Sequence, residues 1–349
     1  YEGAFYDTSH GFRPNRSCHT ALTKIGVEFT GTKWFIEGDI KGFFDNIDHE
    51  VLVNILKKRI EDERFIRLIR KFLKAGYVEQ WKYNPTYSGT PQGGIISPIL
   101  ANIYLNEFDE YMDKYAKTFN KGKARRVSSE YRWLESHIRG LKQKYQRATD
   151  ADKREALYLK YKEERKKLLR TPCKMDMDEE YKRLRYVRYA DDFLIGVAGS
   201  KEDCERMKEN ITEFMRESLK LELSAEKTLI THGQDAAKFL GYEISIKHSE
   251  STIKTAKGGT QRSKNGRVRL WVSKDICRKR LTSYDALSSK VVKNKTKLRP
   301  KCREYLIGKK PELILAQYNA EIRGFYNYYA LAHNIGNVGW EFFYFMKYS

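Results

Sequence analysis

Three aspartates are the residues of this sequence best suited to chemistry. Asp191 and Asp192 stand side by side in RYADDFLIG, and Asp39 lies in WFIEGDIKGFF, so all three have apolar or aromatic neighbours. A buried carboxylate without a partner costs on the order of several kcal/mol unless a cation or a donor compensates its charge. A divalent cation offers that compensation, and ligation by oxygen alone suits Mg²⁺. We therefore predict a metal centre formed by these three carboxylates.

A tight hairpin is the element that would bring the adjacent pair to one centre. Neighbouring side chains on a strand point to opposite faces, but at a hairpin both can reach a common point, and a third carboxylate from the next strand completes the site. Two ions about 4 Å apart would activate an attacking hydroxyl and stabilise a leaving pyrophosphate. Taken alone, the pair fits equally well a hairpin with two solvated aspartates at its tip.

Three further segments favour a nucleotide site. GTPQGGIISP has the glycines of a loop that lets backbone approach a ligand, and its Gln92 offers a donor and an acceptor. Phe44 in DIKGFF suits a wall beside a nucleotide sugar, and Lys227 in LELSAEKT suits contact with a triphosphate or proton donation to pyrophosphate. Each segment also has an ordinary interpretation: a plain turn, a core phenylalanine and a solvated lysine.

The basic side chains are concentrated in two blocks. The chain has 349 residues and a formal net charge of +21. Residues 121–170 hold 17 Lys and Arg against 7 Asp and Glu, and residues 247–309 hold 19 against 4. Two such blocks beside a carboxylate site indicate a nucleic-acid track more than an anionic membrane surface, because neither has the apolar stripe of a membrane-lying helix. The predicted nucleic-acid contacts are Arg262, Lys264, Arg267, Arg269, Arg278, Lys279 and Arg280.

Other features exclude several classes of protein. No run of about 18 apolar residues predicts a membrane span, and the first residues lack the basic and apolar parts of a signal peptide, so we expect a soluble cytoplasmic protein. The five cysteines are odd in number and far apart, which predicts reduced thiols rather than disulfides or a zinc cluster.

Hydrophobic periodicity predicts an α+β fold. Leu134, Ile138, Leu141 and Tyr145 follow helical spacing and indicate a packed helical hairpin over 130–170. Asn46 or Asp48 suits the N-terminal cap of a helix over 45–60. Strands are expected over 33–40, 187–197 and 239–246, and further helices from 99, over about 202–220 and from 318.

Six segments, taken in order, resemble the successive sequence blocks of reverse transcriptases. They are GFRPNRSCHTAL, FIEGDIKGFFDNIDHEVL, SGTPQGGIISPILANIYLNEFD, VRYADDFLIG, LELSAEKTLI and FLGYEI, and they span residues 11–244. The YADD, PQGG, GFRPNRS and EIRGFYNYY segments resemble group II intron-encoded proteins, in which a polymerase joins a maturase domain that serves as the thumb. The resemblance implies a right-hand polymerase whose palm is an antiparallel sheet backed by helices.

The resemblance also implies roles for single residues. Asp39, Asp191 and Asp192 correspond to a triad that binds two Mg²⁺ ions, with Mn²⁺ as a substitute, and Lys227 to the lysine that contacts triphosphate and donates a proton. Gly241 corresponds to a position in the segment that lies against the primer. The nucleotide-binding positions are Ile40, Phe44, which screens against a ribose 2′-hydroxyl, Gln92, which contacts the nucleotide, Tyr189 and Ala190.

The expected organisation follows the family pattern with partial ends. Residues 1–246 would form partial fingers and a palm with a basic helical insertion at about 121–180. Residues 247–310 would form a basic linker and the start of a thumb, and residues 311–349 partial maturase helices. We expect the ends to be partial because the sequence opens inside the second block and stops within the maturase region.

The implied function is an RNA-directed DNA polymerase of a group II intron that copies intron RNA and assists splicing. Its expected partners are intron RNA, an RNA template with a DNA primer, and deoxynucleoside triphosphates. Whether two copies form a homodimer stays open. Two alternatives remain: a non-catalytic RNA-binding splicing factor that keeps the fold, and a DNA polymerase or another two-metal phosphotransferase.

Overall fold

A computed structural model of the chain describes residues 1–79, 82–84, 89–90, 94–175, 177–249, 251–256, 258–263, 265–292 and 295–349. Gln92 and Lys264 lie outside these residues. The helices are α1 (Cys18–Glu28), α2 (Phe43–Asn46), α3 (His49–Lys57), α4 (Glu63–Lys74), α5 (Ser97–Phe119), α6 (Ser129–Arg147), α7 (Ala151–Arg170), α8 (Lys201–Ser218), α9 (Lys274–Ser283), α10 (Pro311–Tyr328) and α11 (Ile335–Lys347). The strands are β1 (Trp34–Gly38), β2 (Tyr77–Glu79), β3 (Lys82–Asn84), β4 (Arg183–Tyr189), β5 (Asp192–Ala198), β6 (Leu229–His232), β7 (Ala237–Phe239), β8 (Tyr242–Ile246), β9 (Thr252–Lys254), β10 (Thr260–Arg262), β11 (Val268–Trp271), β12 (Leu287–Val292) and β13 (Lys295–Pro300).

A four-stranded antiparallel sheet of order β4-β5-β1-β6 forms the centre of the molecule. In its register Gly38, the last residue of β1, lies opposite Phe193, and Tyr189 lies opposite Asp192. Gly38 cannot carry a side chain, because a Cβ there would overlap the Phe193 ring. The register places the end of β1 next to the turn between β4 and β5. Asp39 therefore leaves the sheet beside Asp191 and Asp192.

The sheet is covered on both faces, which explains why its strands are apolar at successive positions. Ile36 and Phe193 face one core, which α5 and α8 complete. Phe35 and Leu194 face a second core, in which Leu22 of α1 is fully buried. The α+β fold class predicted from the sequence is confirmed.

Residues 247–310, for which we expected a basic linker and the start of a thumb, contain regular structure along most of their described length. Strand β11 pairs with β8 and extends the β7-β8 hairpin to a three-stranded sheet. Val268 and Leu270 of β11 alternate towards the core that Phe35 faces. Two alternating apolar residues among many basic ones are too weak a signal to predict a strand from the sequence.

The C-terminal helices pack on the same core. The rings of Phe325 in α10 and Phe342 in α11 stack with their centroids 4.1 Å apart. Asn334, between the two helices, accepts a hydrogen bond of 3.0 Å from the backbone of Val272. The aromatic helix expected from 318 is thus part of a helical layer on the sheet.

Helices α6 and α7 form the hairpin predicted for the insertion. Leu134, Ile138 and Leu141 of α6 are buried. Tyr145 lies between Tyr158 and Tyr161 of α7, with ring centroids 5.6 and 6.0 Å away.

Three local predictions differ from the structure. The single helix expected over 45–60 is two helices, α2 and α3, because Asp48 is extended and accepts hydrogen bonds from the amides of Glu50 and Val51 as the cap of α3. The expected strand over 187–197 is interrupted by the β4–β5 turn, and the expected strand over 239–246 is interrupted by the turn between β7 and β8. In the described part of the chain, none of the helices has the length and apolar character needed to cross a membrane.

Candidate active site

The turn between β4 and β5 presents the paired aspartates. Ala190, at the start of this turn, has φ of 55°, a left-handed conformation that costs an alanine about 1–2 kcal/mol. The turn is held against Gly11, where a Cβ would clash with the amide nitrogen of Ala190. The glycine of the GFRPNRS segment therefore allows the N-terminal loop to lie directly on the backbone of the turn.

A buried ion pair supports the turn from the protein interior. The side chains of Arg188 and Asp109 are both fully buried, with 2.6 Å between Nη2 and Oδ2. Arg188 Nε donates a second hydrogen bond of 2.9 Å to Asp109 Oδ1, which gives the bidentate geometry favoured by guanidinium and carboxylate. Arg188 Nη1 also donates to the carbonyl oxygen of Ala190 over 2.8 Å. The ion pair thus links the turn to helix α5.

Other polar groups complete this buried cluster. The Tyr186 hydroxyl donates to Asp109 Oδ1 over 2.8 Å. Arg188 Nη2 donates to Ser9 Oγ over 2.8 Å, and Asn102 Nδ2 donates to the carbonyl of Gly11 over 2.8 Å. The cluster is absent from our sequence predictions. The signal available was an arginine within the apolar strand before YADD and an aspartate within the apolar stretch of α5.

Beyond the end of β1, the three aspartates lie close enough to repel one another. Burial, followed by the negative charges of Asp191 and Asp39, raises the pKa of Asp192 to about 7. Burial also raises the pKa of Asp191, with Asp39 adding to the effect. The ionised form of Asp192 is therefore disfavoured unless positive charge is added.

Lys227 is the cation nearest to these carboxylates. Its Nζ lies 2.9 Å from Asp39 Oδ2, and this hydrogen bond raises the pKa of Lys227. The Lys227 side chain is 68% exposed, so solvent screens much of its charge. One screened ammonium does not neutralise three carboxylates.

A cavity of about 360 Å³ opens beside this group. Asp39, Asp192, Lys227 and Gly241 line it, so the structure brings together four of the residues predicted from the sequence. Glu37 also lines the cavity and was not predicted. Its Oε2 accepts a hydrogen bond of 2.7 Å from the amide of Lys238, so this carboxylate is held by backbone.

The ligand atoms are of a type that divalent ions prefer, but the side chains are not arranged around a common metal position. Among the residues described, no group of three or more His, Cys, Asp or Glu side chains is arranged to hold a metal ion. Asp39 is turned to Lys227, as its 2.9 Å ion pair shows. The ligands are nevertheless carboxylate oxygens, and the raised pKa of Asp192 reports a local excess of negative charge that a divalent cation would relieve.

Phe44 lies on α2 and is half-buried. Its ring is edge-on to Phe43 and Phe12, with centroids 5.2 and 6.4 Å away. The amide of Thr90 donates a hydrogen bond of 2.7 Å to the Phe44 carbonyl, and Gly89, with φ of 78°, passes so close to this carbonyl that a Cβ would overlap it. Gly89 and Thr90 therefore lie directly against the backbone of Phe44.

The other predicted nucleotide and primer positions differ in how accessible they are. Ile40 as a whole is 2% exposed and packs in the core, so it presents almost no surface to a nucleotide. Tyr189 is half-buried, and burial raises its pKa to about 12. Gly241 is exposed with φ of 71°, and the Tyr329 hydroxyl lies 3.2 Å from the position of a Cβ.

The predicted nucleic-acid contacts occupy several elements. Arg262 ends β10, Arg267 and Arg269 lie at β11, and Arg278, Lys279 and Arg280 are exposed on α9. Among those the structure describes, none lines the cavity beside the aspartates. Their contact with nucleic acid stays a prediction.

Comparison with known proteins identifies two family matches. Residues 3–131 and 166–244 match the reverse transcriptase (RNA-dependent DNA polymerase) family, and residues 284–349 match the type II intron maturase family.

Curated relatives agree with these matches. The group II intron-encoded protein LtrA of Lactococcus lactis subsp. cremoris is 46% identical over 350 residues, covering 100% of this chain and 57% of its own. A putative COX1/OXI3 intron 1 protein of Saccharomyces cerevisiae is 38% identical over 348 residues, covering 98% of this chain and 40% of its own. A structure of apo telomerase from Candida tropicalis aligns with TM-score 0.39 and 13% identity over 73% of this chain and 41% of that one. The chain spans about half the length of the curated relatives it matches.

Proposed function

We propose a function from the premise that this chain belongs to the reverse transcriptase family, among the group II intron-encoded members that join a reverse transcriptase to an intron maturase. The proposed activity is RNA-directed DNA polymerisation that copies intron RNA, together with assistance to intron splicing. The observation that carries it is the group of three mutually repelling carboxylates at the end of β1 and the β4–β5 turn. Such a group suits the binding of divalent cations that catalyse nucleotidyl transfer.

The proposed metal ligands are Asp39, Asp191 and Asp192. Reverse transcriptases generally use divalent metal ions, and we propose two Mg²⁺ ions here, with Mn²⁺ as a substitute. When bound, the ions would activate the primer 3′-hydroxyl and stabilise the charge on the departing pyrophosphate.

Lys227 is proposed to contact the triphosphate and to protonate pyrophosphate. Its ion pair with Asp39 raises its pKa, so the amine carries a proton at neutral pH. Because the side chain is largely exposed, it can rotate from Asp39 to a phosphate oxygen. That exchange would free the Asp39 carboxylate for metal.

Phe44 is proposed to screen against the ribose 2′-hydroxyl. Its ring is fixed by Phe43 and Phe12, and its carbonyl by Thr90. A fixed aromatic wall discriminates by steric exclusion, which a mobile side chain cannot do. Gln92, two residues after Thr90 in the sequence, is proposed to contact the incoming nucleotide.

The proposed partners are group II intron RNA, an RNA template with a DNA primer, and deoxynucleoside triphosphates; the reverse transcriptase and intron maturase families bind RNA. Action in the bacterial cytoplasm is part of the proposal, because intron RNA is transcribed there. So is a division into fingers and palm over 1–246, a thumb start over 247–310 and maturase helices over 311–349.

A second candidate is a splicing factor that binds RNA without polymerising. The ion pair of Asp39 with Lys227, which occupies an oxygen of a proposed metal ligand, favours this candidate.

Primer extension on an RNA template with Mg²⁺ and deoxynucleotides tests the proposal. We expect extension by the wild-type chain and loss of at least a thousandfold in Asp191→Asn/Asp192→Asn. The control Asp152→Asn/Asp275→Asn removes two exposed carboxylates and should extend normally. A wild-type chain that binds intron RNA without extending the primer would overturn the polymerase and support the splicing factor.

A further inference from the structure

A second cavity, of about 390 Å³, lies at the end of the sheet opposite the aspartates. Lys33, which lines it, directly precedes β1, whereas Asp39 directly follows β1. The six residue steps from Lys33 to Asp39 span about 20 Å of extended chain. The cavity is therefore separate from the proposed active site. Its walls are residues 30–33, 232–234, 246–248, 262–263 and 265–266, together with Arg125 and residues 172–174 at the base of the α6–α7 hairpin.

The walls of this cavity are strongly basic. Seven lining side chains are Lys, Arg or His, and no lining residue that the structure describes is acidic. These seven are Lys33, Arg125, Lys174, His232, Lys247, His248 and Arg262. Within the described chain, Arg125, Lys174, Lys247 and Arg262 form no ion pair with a carboxylate. So much uncompensated positive charge in a concave site favours an anionic ligand.

Backbone carbonyls hold two of the guanidinium groups. Arg125 Nη2 donates to the carbonyl of Gly31 over 2.7 Å, and Arg262 Nη1 donates to the carbonyl of Thr171. Carbonyl acceptors orient an arginine without neutralising it. The Nε of Arg262 is buried and has no hydrogen-bond partner, which is an unusual and costly state for a charged donor. An anion in the cavity would give this Nε a hydrogen-bond acceptor.

The lining also indicates which anion. The lining residues that the structure describes include no Phe, Tyr or Trp to stack on a base, so recognition would be of phosphate and not of a nucleobase. Both basic blocks of the sequence meet here, Arg125 from the first and Lys247 and Arg262 from the second. A ligand with a chain of phosphates would be attracted by the positive charges of both blocks, whereas a free phosphate would contact only the residues of the cavity.

We propose that this cavity binds backbone phosphates of structured RNA and so forms an anchoring site remote from the aspartates. That the RNA belongs to an intron rests on the proposed function. The shared chemistry is phosphate, and its other source would be a free phosphate compound.

Binding of a fluorescein-labelled hairpin RNA of about 40 nucleotides, followed by anisotropy from 50 to 300 mM KCl, tests the proposal. Each phosphate contact contributes about 0.7–0.9 to the slope of log affinity against log salt. Lys174→Gln/Lys247→Gln should therefore lower the slope by about 1.4–1.8 and weaken binding on the order of tenfold. Lys174→Arg/Lys247→Arg, which keeps both charges, should retain the wild-type slope.

The matched control is Lys114→Gln/Lys117→Gln on α5. It removes the same charge from two side chains that are 72% and 75% exposed and line neither cavity, so its slope should equal that of wild type. Should the double cavity variant unfold, as circular dichroism would show, Lys174→Gln alone should lower the slope by about 0.7–0.9, because its side chain is exposed.

Equal slopes in the cavity variant and the control would overturn the proposal. Calorimetric binding of pyrophosphate that is lost in Lys174→Gln/Lys247→Gln, with unchanged RNA slopes, would assign the cavity to free phosphates and also overturn it. The assay needs no catalysis, and Asp191→Asn/Asp192→Asn should bind the hairpin with the wild-type slope. Failure of primer extension is thus distinguishable from failure of this site.

Discussion

The β4–β5 hairpin is associated with two groups of carboxylates, and the fold compensates their negative charge differently. The first group is Asp109 alone, and the second is Asp39, Asp191 and Asp192. Asp109 is fully buried and receives two hydrogen bonds from Arg188 and one from Tyr186. Of Asp39, Asp191 and Asp192, Asp39 is paired with Lys227, which is 68% exposed, and the pKa of Asp192 is raised to about 7. The protein neutralises the first group with its own cation. The second group requires a cation from solution, which is what distinguishes a binding site from a structural ion pair.

Replacing Asp109 should have the largest effect on stability. Asp109→Ala leaves Arg188 buried without its carboxylate, which costs about 3–5 kcal/mol in the free energy of unfolding. Urea denaturation followed by circular dichroism measures it. The control Asp113→Ala, one turn along α5, removes an exposed ion pair with Lys117 and should cost less than about 1 kcal/mol. Equal losses in the two variants would contradict the assignment of Asp109 as a structural partner.

Removing the Tyr186 hydroxyl should have a smaller effect of the same sign. Tyr186→Phe deletes one donor to an ionised acceptor and should cost about 1.5–3 kcal/mol in the same denaturation assay. Tyr111→Phe serves as control, because the Tyr111 ring contributes stacking on Phe214 with centroids 4.1 Å apart. A Tyr186→Phe protein as stable as wild type would show that Arg188 alone compensates Asp109.

Asp192→Asn should change stability in the opposite direction. The folded-state pKa of about 7 lies above the ordinary value of 3.8, so the stability that Asp192 provides is present below pH 4 and lost as the pH rises through 7. Without divalent cations at pH 8, the neutral amide should therefore stabilise the chain, by about 1–2 kcal/mol after allowance for solvent screening. Thermal unfolding from pH 4 to 8 measures this. A destabilised variant at pH 8 would mean that the aspartate is already compensated.

The smallest predicted effect belongs to His10, whose amide donates to the carbonyl of Arg188 over 2.9 Å. Burial, followed by the charges of Arg16, Lys24 and Arg13, lowers the pKa of His10 to about 4. Because the unfolded chain then takes up the proton first, stability should be lost as the pH falls from 6.5 towards 4. His10→Gln should remove about 1 kcal/mol of that loss between pH 7 and pH 5, as seen in melting temperatures. Parallel pH profiles for the two proteins would contradict the expectation.

Local signals in the sequence account for part of this comparison. The apolar neighbours of Asp39, Asp191 and Asp192 predicted both the strands and the turn that bring these residues together. The i, i+4 pattern of Leu134 and Ile138 predicted the insertion hairpin. Such signals report backbone conformation and which face of an element is buried.

Contacts between distant segments could not be predicted in the same way. Asp109 and Arg188 are separated by 79 residues, and nothing local to either states that they face each other. The basic cavity likewise collects residues from both ends of the insertion hairpin and from three strands. Such contacts depend on the topology of the whole fold, which cannot be read from any single segment of the sequence.

The central claim is that Asp39, Asp191 and Asp192, whose charges one exposed lysine does not neutralise, hold divalent metal. Titration of the chain with Mn²⁺, with free Mn²⁺ followed by electron paramagnetic resonance, tests this most directly. We predict saturable binding to the wild-type chain and its loss in Asp191→Asn/Asp192→Asn, while Asp152→Asn/Asp275→Asn binds normally. Equal Mn²⁺ binding by all three proteins would contradict the claim.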